Sequence, residues 1–278
     1  MIKRIKSWKN SEMPQVAVWL DKSADHCCIY TLADLHIGSR ETDEKAIRSY
    51  IKHIENDENG YVVLNGDLCD CGIEGSLTGA YDQKMNTDEQ IAYVCDLLKP
   101  IADKIMVITQ GNHERRIEKK TSIDISSYIA VKLGIEDRYL KNGGNLKIRL
   151  GDDEKRGREV CYDILVEHGS GGGSTSGSKL NRAEKMELQA VCDIYLMSHV
   201  HCATTSTRSI FIQSMTGAPT KKNMYFVTTN AWQRYGGYGH AAQFSPGSIE
   251  QSVIKLSGRQ KRISIISHVD PLDVGFYM

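Results

Sequence analysis

The chain has 278 residues, 40% of them hydrophobic and 25% charged, which suits one large α/β domain with a proper buried core. Lysine plus arginine equals aspartate plus glutamate at 35 each, which excludes a protein that holds nucleic acid or anionic membrane by bulk charge and leaves room only for a local basic patch. No stretch approaches the roughly 20 apolar residues of a membrane span, and the basic start MIKRIKSWKN is followed by no apolar run of signal-peptide length. A soluble, cytoplasmic protein with no membrane contact is expected.

The elements read as follows in chain order. Residues 27–33 form an apolar, β-branched run ending in Asp34-Leu35-His36-Ile37-Gly38, a buried strand that delivers polar residues to a loop. A helix capped by Thr42 should follow, with Ile47, Tyr50, Ile51 and Ile54 at helical spacing, until the break at Asn59-Gly60. A short strand over 61–64 ends in Asn65-Gly66-Asp67-Leu68-Cys69-Asp70. Thr87 and Gln90 have the spacing of a capping box for a helix through Leu98, with Pro100 at its end or at a kink. A third strand, 105–109, ends in Gly111-Asn112-His113-Glu114, and a shorter helix around 122–133 stops at Gly134. Runs at 146–150 and 160–167 suggest a hairpin whose second arm ends at His168-Gly169. A Gly/Ser-rich segment, 170–178, leads into a helical stretch through Leu188, and the strand 193–197 ends in Ser198-His199-Val200-His201. Beyond it, runs near 209–213, 225–229, 248–256 and 262–267 make the C-terminal third β-rich. The sequence alone thus gives an α/β fold.

The eight cysteines (Cys27, Cys28, Cys69, Cys71, Cys95, Cys161, Cys192, Cys202) are scattered, several of them inside apolar runs, so no disulfide framework is expected. Cys69 and Cys71 are the one close pair, and no second pair stands at zinc-ribbon spacing. Each short polar motif is weak alone, since D-x-H or H-x-H arises by chance. Their recurrence is informative: five times an apolar strand ends in Asp, Asn or His. Ligands of open α/β sheets bind at strand ends, where loops converge, and carboxylate, carboxamide and imidazole together make a mixed N/O site for first-row divalent metals.

Asp34-x-His36, Gly66-Asp67-x-x-Asp70, Gly111-Asn112-His113-Glu114, His168-Gly169 and Ser198-His199-x-His201 resemble, in order, the five blocks of the calcineurin-like metallophosphoesterases. The resemblance spans about residues 29–201, with 202–278 as the β-rich remainder of a single domain over 1–278. It implies two mixed β-sheets in a sandwich flanked by helices. It also implies two divalent cations, manganese first, with iron, zinc, nickel or magnesium as alternatives. Asp34, His36 and His201 would hold one cation, Asn112, His168 and His199 the other, and Asp67 would bridge both. His113 would be the catalytic residue, protonating the leaving oxygen or stabilising the transition state, with Glu114 orienting its imidazole. Asp70 would orient a ligand or cap a turn. Ser198 departs from the family's usual glycine, and no loss of metal binding is expected from so small a change. Chemically, two cations about 3.5 to 4 Å apart can share a hydroxide, lower its pKa and neutralise charge on phosphate oxygens during in-line attack.

The blocks imply a phosphoester hydrolase and leave the substrate to other loops. The segment after Asp67 lacks the arginine that protein Ser/Thr phosphatases carry there. Arg115 and Arg116 either clamp a phosphate or sit exposed at a helix start, and segment 170–178 either cradles phosphate oxygens or connects two elements. Trp232, Tyr235 and Tyr238 alternate with Arg234 and glycines up to His240; aromatics beside arginine suit stacking on nucleobases, and equally suit packing. A similar segment follows the last block in phosphoesterases of phage and prophage genomes. These features favour a phosphodiesterase for a nucleotide or nucleic acid, including the branch resembling DNA-repair exonucleases. A phosphomonoesterase for a small metabolite is the alternative, and a non-catalytic metal-binding scaffold is the alternative of another class. His26, His53, His240 and His268 match no block.

Overall fold

The computed structural model describes residues 1–73, 83–153, 157–173, 175–215, 217–236 and 246–278. Its elements are β1 (Arg4–Trp8), β2 (Gln15–Trp19), β3 (His26–Leu32), α1 (Glu44–Asn56), β4 (Gly60–Asn65), α2 (Thr87–Leu98), β5 (Ile105–Thr109), α3 (Asn112–Thr121), α4 (Ile125–Lys132), β6 (Gly144–Asp153), β7 (Arg158–Glu167), α5 (Ser176–Glu184), β8 (Ile194–Met197), β9 (Thr204–Ile212), β10 (Thr220–Thr228), β11 (Gln251–Ser257) and β12 (Ile263–Val269). They form a seven-stranded sheet, β1-β2-β6-β7-β8-β10-β9, and a five-stranded sheet, β12-β11-β3-β4-β5, both mixed. This is the sandwich expected above.

Strands β3, β4 and β5 are parallel, and β4 and β5 are buried at every position. A parallel strand covered on both faces needs a continuous apolar run, which is why the pattern here does not alternate. One face of this sheet packs against the other sheet through Ile29, Val63, Val107, Ile148, Ile164 and Ile194. The other takes α1, α2 and α4 through Ile47, Ile51, Val94 and Ile129, while α5 covers the seven-stranded sheet around Ala183, Tyr195 and Phe226.

Several sequence expectations shift at element ends. The cap of α1 is Asp43, whose side chain accepts from Ala46 N at 3.0 Å, because the Thr42 hydroxyl is taken by the carbonyls of Leu35 and His36. The α2 capping box is Asn86 with Glu89, one residue earlier than expected, which frees Gln90 to point inward. The expected helix at 122–133 begins at Ile125, and a separate helix, α3, precedes it; Ser122 in the left-handed conformation ends that helix. Strands β1 and β2 were not anticipated. The helical stretch through Leu188 ends in a 3-10 turn, Lys185–Leu188.

Trp232 is fully buried and packs on Tyr50 at 5.1 Å between ring centres, so it is a core residue and not a stacking platform. Tyr235 is exposed, and Tyr238 and His240 lie outside the described residues.

Candidate metal centre

The strands β3, β4, β5, β7 and β8 deliver their polar ends to one place. Sheet-to-sheet alignment there depends on Asn65, whose amide donates to Glu167 O and Ser198 Oγ, both at 2.8 Å, and whose Oδ1 accepts from Thr109. Ser198, the departure from the family pattern, thus supplies an acceptor at a seam where glycine would have none. Gly66 and Gly111 let two of the loops touch: a β-carbon on Gly111 would lie 2.1 Å from Asp67 N, and one on Gly66 would lie 2.6 Å from Gly111 Cα.

The loops are bent hard. Among the described residues, eight non-glycine positions have positive φ, and five of them are Asp34 (51°), His36 (47°), Asp67 (50°), His199 (68°) and His201 (48°). Asp and His tolerate this region better than most residues, yet each still costs about 1 kcal/mol. Such strain gathered at one spot marks a functional site.

The structure brings all the expected donors together. Asp34, His36 and His201 form one group that could hold a metal; Asp67, His168 and His199 form another; His36, Asp67 and His113 form a third. Asn112 stands with the second group, its Oδ1 lying 3.1 Å from His168 Nε2.

The proton positions decide whether cations fit. His168 Nδ1 lies 2.7 Å from Asn65 O, a carbonyl that can only accept, so Nδ1 carries the hydrogen. Its Nε2 lies 3.1 Å from Asn112 Oδ1 and 3.3 Å from Asp67 Oδ2, where it donates when the ring is protonated and would offer a lone pair to a cation when it is neutral. Likewise His36 Nδ1 engages Asp70 Oδ1 at 3.0 Å, which turns its Nε2 towards His201 Nε2 at 3.3 Å. Asp34 Oδ1 is buried and makes no hydrogen bond, although His201 Nε2 is 3.4 Å away. Both groups crowd donor atoms that need positive charge among them, from ring protons or from a bound cation.

Titration tells the same story. Burial opposes the charged form of Asp67, but the His168, His113 and His36 charges outweigh it and hold the carboxyl well below its ordinary range. Burial also opposes protonated His168, yet Asp67 and Asp34 push this imidazole up to about 10. His36 and His199 are pushed down, first by burial and then by neighbouring histidines. No one protonation state suits every imidazole. Divalent cations do, so the donor set fits them, and their uptake should displace protons.

Two supporting roles differ from expectation. Glu114 does not orient His113: it accepts from the backbone N–H groups of Asp67 (3.1 Å), Cys69 (2.9 Å) and Gly111 (3.1 Å), bracing two of the loops. His113 is oriented by Asp70, whose carbonyl takes Nδ1 at 2.6 Å and whose carboxylate lies 3.3 Å from the same nitrogen. Burial works against protonated His113, but Asp67 and Asp70 outweigh it and raise its pKa. Asp70 therefore serves two imidazoles, His36 and His113. Gln83 donates to its other oxygen, and Gln90 holds both Gln83 and the backbone N–H of Cys71. Sequence reasoning missed this relay because Gln90 was read as a cap; its place one turn inside an amphipathic helix was the available signal.

Segment 170–178 is divided. Residues 176–178 belong to α5, capped by Thr175, and the carbonyls of Ser170 and Gly172 bind Arg182. Ser174 lies outside the described residues. Among the other histidines, His53 bonds Tyr30 and His268 pairs with Glu250, both away from the site.

No curated protein matches the sequence. The solved structure of Haemophilus influenzae NAD nucleotidase matches at 12% identity and a TM-score of 0.36, covering 86% of this chain and 49% of its own, so the chain spans about half that neighbour's length. A likeness of that size carries no argument about fold or substrate. The family model of the calcineurin-like phosphoesterases, by contrast, matches residues 29–203, more than half of the chain and every one of the donor-bearing strand ends. With that match, the chain belongs to the calcineurin-like phosphoesterases.

Proposed function

We propose that the enzyme is a phosphodiesterase acting on a nucleotide or nucleic-acid substrate, with Asp34, His36 and His201 around one cation, Asn112, His168 and His199 around a second, and Asp67 shared. The observation that carries the two-cation reading is the convergence of the donors into two groups within metal-binding distance, Asp34 with His36 and His201, and Asp67 with His168 and His199. Bound there, the cations supply charge neutralisation at phosphate oxygens and acidify a water for attack on phosphorus. Manganese is the metal proposed from the family resemblance, with iron, zinc, nickel or magnesium as alternatives; the mixed N/O donor set suits divalent cations of this kind.

His113 completes the reading. Its Nδ1–H is committed to Asp70 O, which leaves Nε2 free, 3.9 Å from Asp67 Oδ2, to give a proton to the leaving oxygen. A diester is favoured by the engagement of one of the two neighbouring arginines elsewhere. Arg115 is turned to Gln110 and Asn142, and a diester, with one negative charge against a monoester's two, asks for fewer such groups. The exposed Arg234 and Tyr235 follow Trp232, whose backbone N–H donates to Asp34 O, so they extend from the edge of the site where a base could rest.

The test is hydrolysis of bis-p-nitrophenyl phosphate against p-nitrophenyl phosphate by metal-stripped protein with manganese, nickel, zinc or magnesium restored. Faster metal-dependent diester cleavage is expected. Monoester preference would replace this reading with a phosphatase.

A further inference from the structure

Two consecutive arginines on α3 have different fates. Arg115 donates to Gln110 Oε1 at 3.2 Å and Asn142 Oδ1 at 3.0 Å. Arg116, partly buried, makes no hydrogen bond or ion pair among the described residues. Its helical neighbours three and four positions away are Asn112, His113, Lys119 and Lys120, so α3 offers it no acidic partner. The acids of that helix are occupied elsewhere: Glu114 holds backbone N–H groups, and Glu118 is taken by Gln110 and Lys141.

Geometry sends this side chain towards the site. Arg116 shares a face of α3 with Asn112 and His113, and long helical side chains lie back over the turn that precedes them. That turn carries both residues. A guanidinium on the helix face that carries Asn112 and His113 is placed to meet a group borne by the leaving oxygen. Arginine is suited to grip a phosphate there through two parallel hydrogen bonds.

We propose that Arg116 is a specificity residue that binds a second phosphate borne by the leaving portion of the substrate, so that the preferred substrates are diesters whose leaving alcohol is itself phosphorylated, as within an oligonucleotide. The inference rests on the phosphodiesterase reading above and adds to it a preference between diesters.

The experiment compares kcat/KM for a thymidine dinucleotide bearing no terminal phosphate, a 5′-phosphate or a 3′-phosphate, with chromatography identifying the nucleoside that leaves. The wild-type enzyme should gain about tenfold or more from a phosphate on the leaving nucleoside, the worth of a charge-assisted hydrogen bond. Arg116→Ala should reduce that gain to near unity, and Arg116→Lys should retain part of it, with bound metal confirming that both variants are folded. Absence of a gain in the wild type, or an equal loss on all three dinucleotides in Arg116→Ala, would overturn the assignment. Bis-p-nitrophenyl phosphate separates the two failures: if the metal-loaded wild type leaves it intact, the phosphodiesterase reading falls and this one with it, whereas cleavage of it without any dinucleotide preference sinks only the role of Arg116.

Discussion

At the start of β8, Asp193 is buried and fully engaged: Lys222 and Lys261 bind its two oxygens at 2.6 and 2.8 Å, and the backbone N–H of Asp163 donates to it at 2.9 Å. At the end of the same strand, four residues on, His199 and His201 enter a cluster where nitrogen faces nitrogen and a buried aspartate oxygen is unbonded. In the first cluster both carboxylate oxygens are paired, and none of its residues has positive φ. The second is open and strained. Evolution tolerates a cluster like the second only where something else completes it, and so the incomplete end of the strand is the functional one.

That contrast can be broken from either side. Asp67→Asn removes the charge shared by both donor groups, and we expect turnover to vanish along with bound metal, read by elemental analysis of the purified protein. A variant that kept its metal would show that Asp67 is not shared. His113→Ala should cut kcat by about a hundredfold to ten-thousandfold, the range for a lost general acid, while bound metal stays nearly intact. If it empties the site instead, His113 is a ligand and its assigned role is wrong.

At the closed end, Asp193→Asn leaves two lysines facing a neutral amide and should lower stability by about 3 kcal/mol, measured as a shift in denaturant midpoint, with metal content unchanged. Burial raises the pKa of Asp193, but Lys222 and Lys261 outweigh it and hold the folded value below the ordinary 3.8. A depressed carboxyl contributes stability above its unfolded pKa and loses it as pH falls through the folded one. The gap between wild type and variant should therefore be constant at neutral pH and close only below pH 3.8. The smallest effect is expected from Asp70→Asn, which sharpens the comparison at the support of the open cluster: about a tenfold to hundredfold loss of activity or metal affinity, with a changed pH profile because His113 loses its carboxylate. An unchanged profile would place the orienting role on the Asp70 carbonyl alone.

Much of this site was legible in the sequence because strand ends are local. An apolar run that stops at Asp34, Asp67, Asn112, His168 or His199 announces both the strand and its polar terminus, and the spacing of the five runs carries the parallel order. What the sequence could not show is what lies across space. Asp70 reaching His113, Glu114 bracing three N–H groups, and Gln90 acting through Gln83 all join residues brought together only by packing. Trp232 illustrates the same limit: its aromatic, glycine-rich setting suggested a surface for bases, and only the tertiary contact with Tyr50 reveals a core position. Strand β1 escaped notice because it lies on a sheet edge, half-exposed and without the apolar run that marks a central strand, whereas β2 is a buried apolar run whose signal the sequence did carry.

The proposed donors do not belong to one sheet. Asp34, His36, Asp67 and Asn112 follow strands of the five-stranded sheet, while His168, His199 and His201 follow strands of the seven-stranded one. Cations held between them would act as rivets through the sandwich, and a ligand that binds only the folded state stabilises it by an amount that grows with the logarithm of its free concentration. The lifetime of this polypeptide against proteases would then follow the free metal around it, so that a cell short of the cation would lose the enzyme itself as well as its activity.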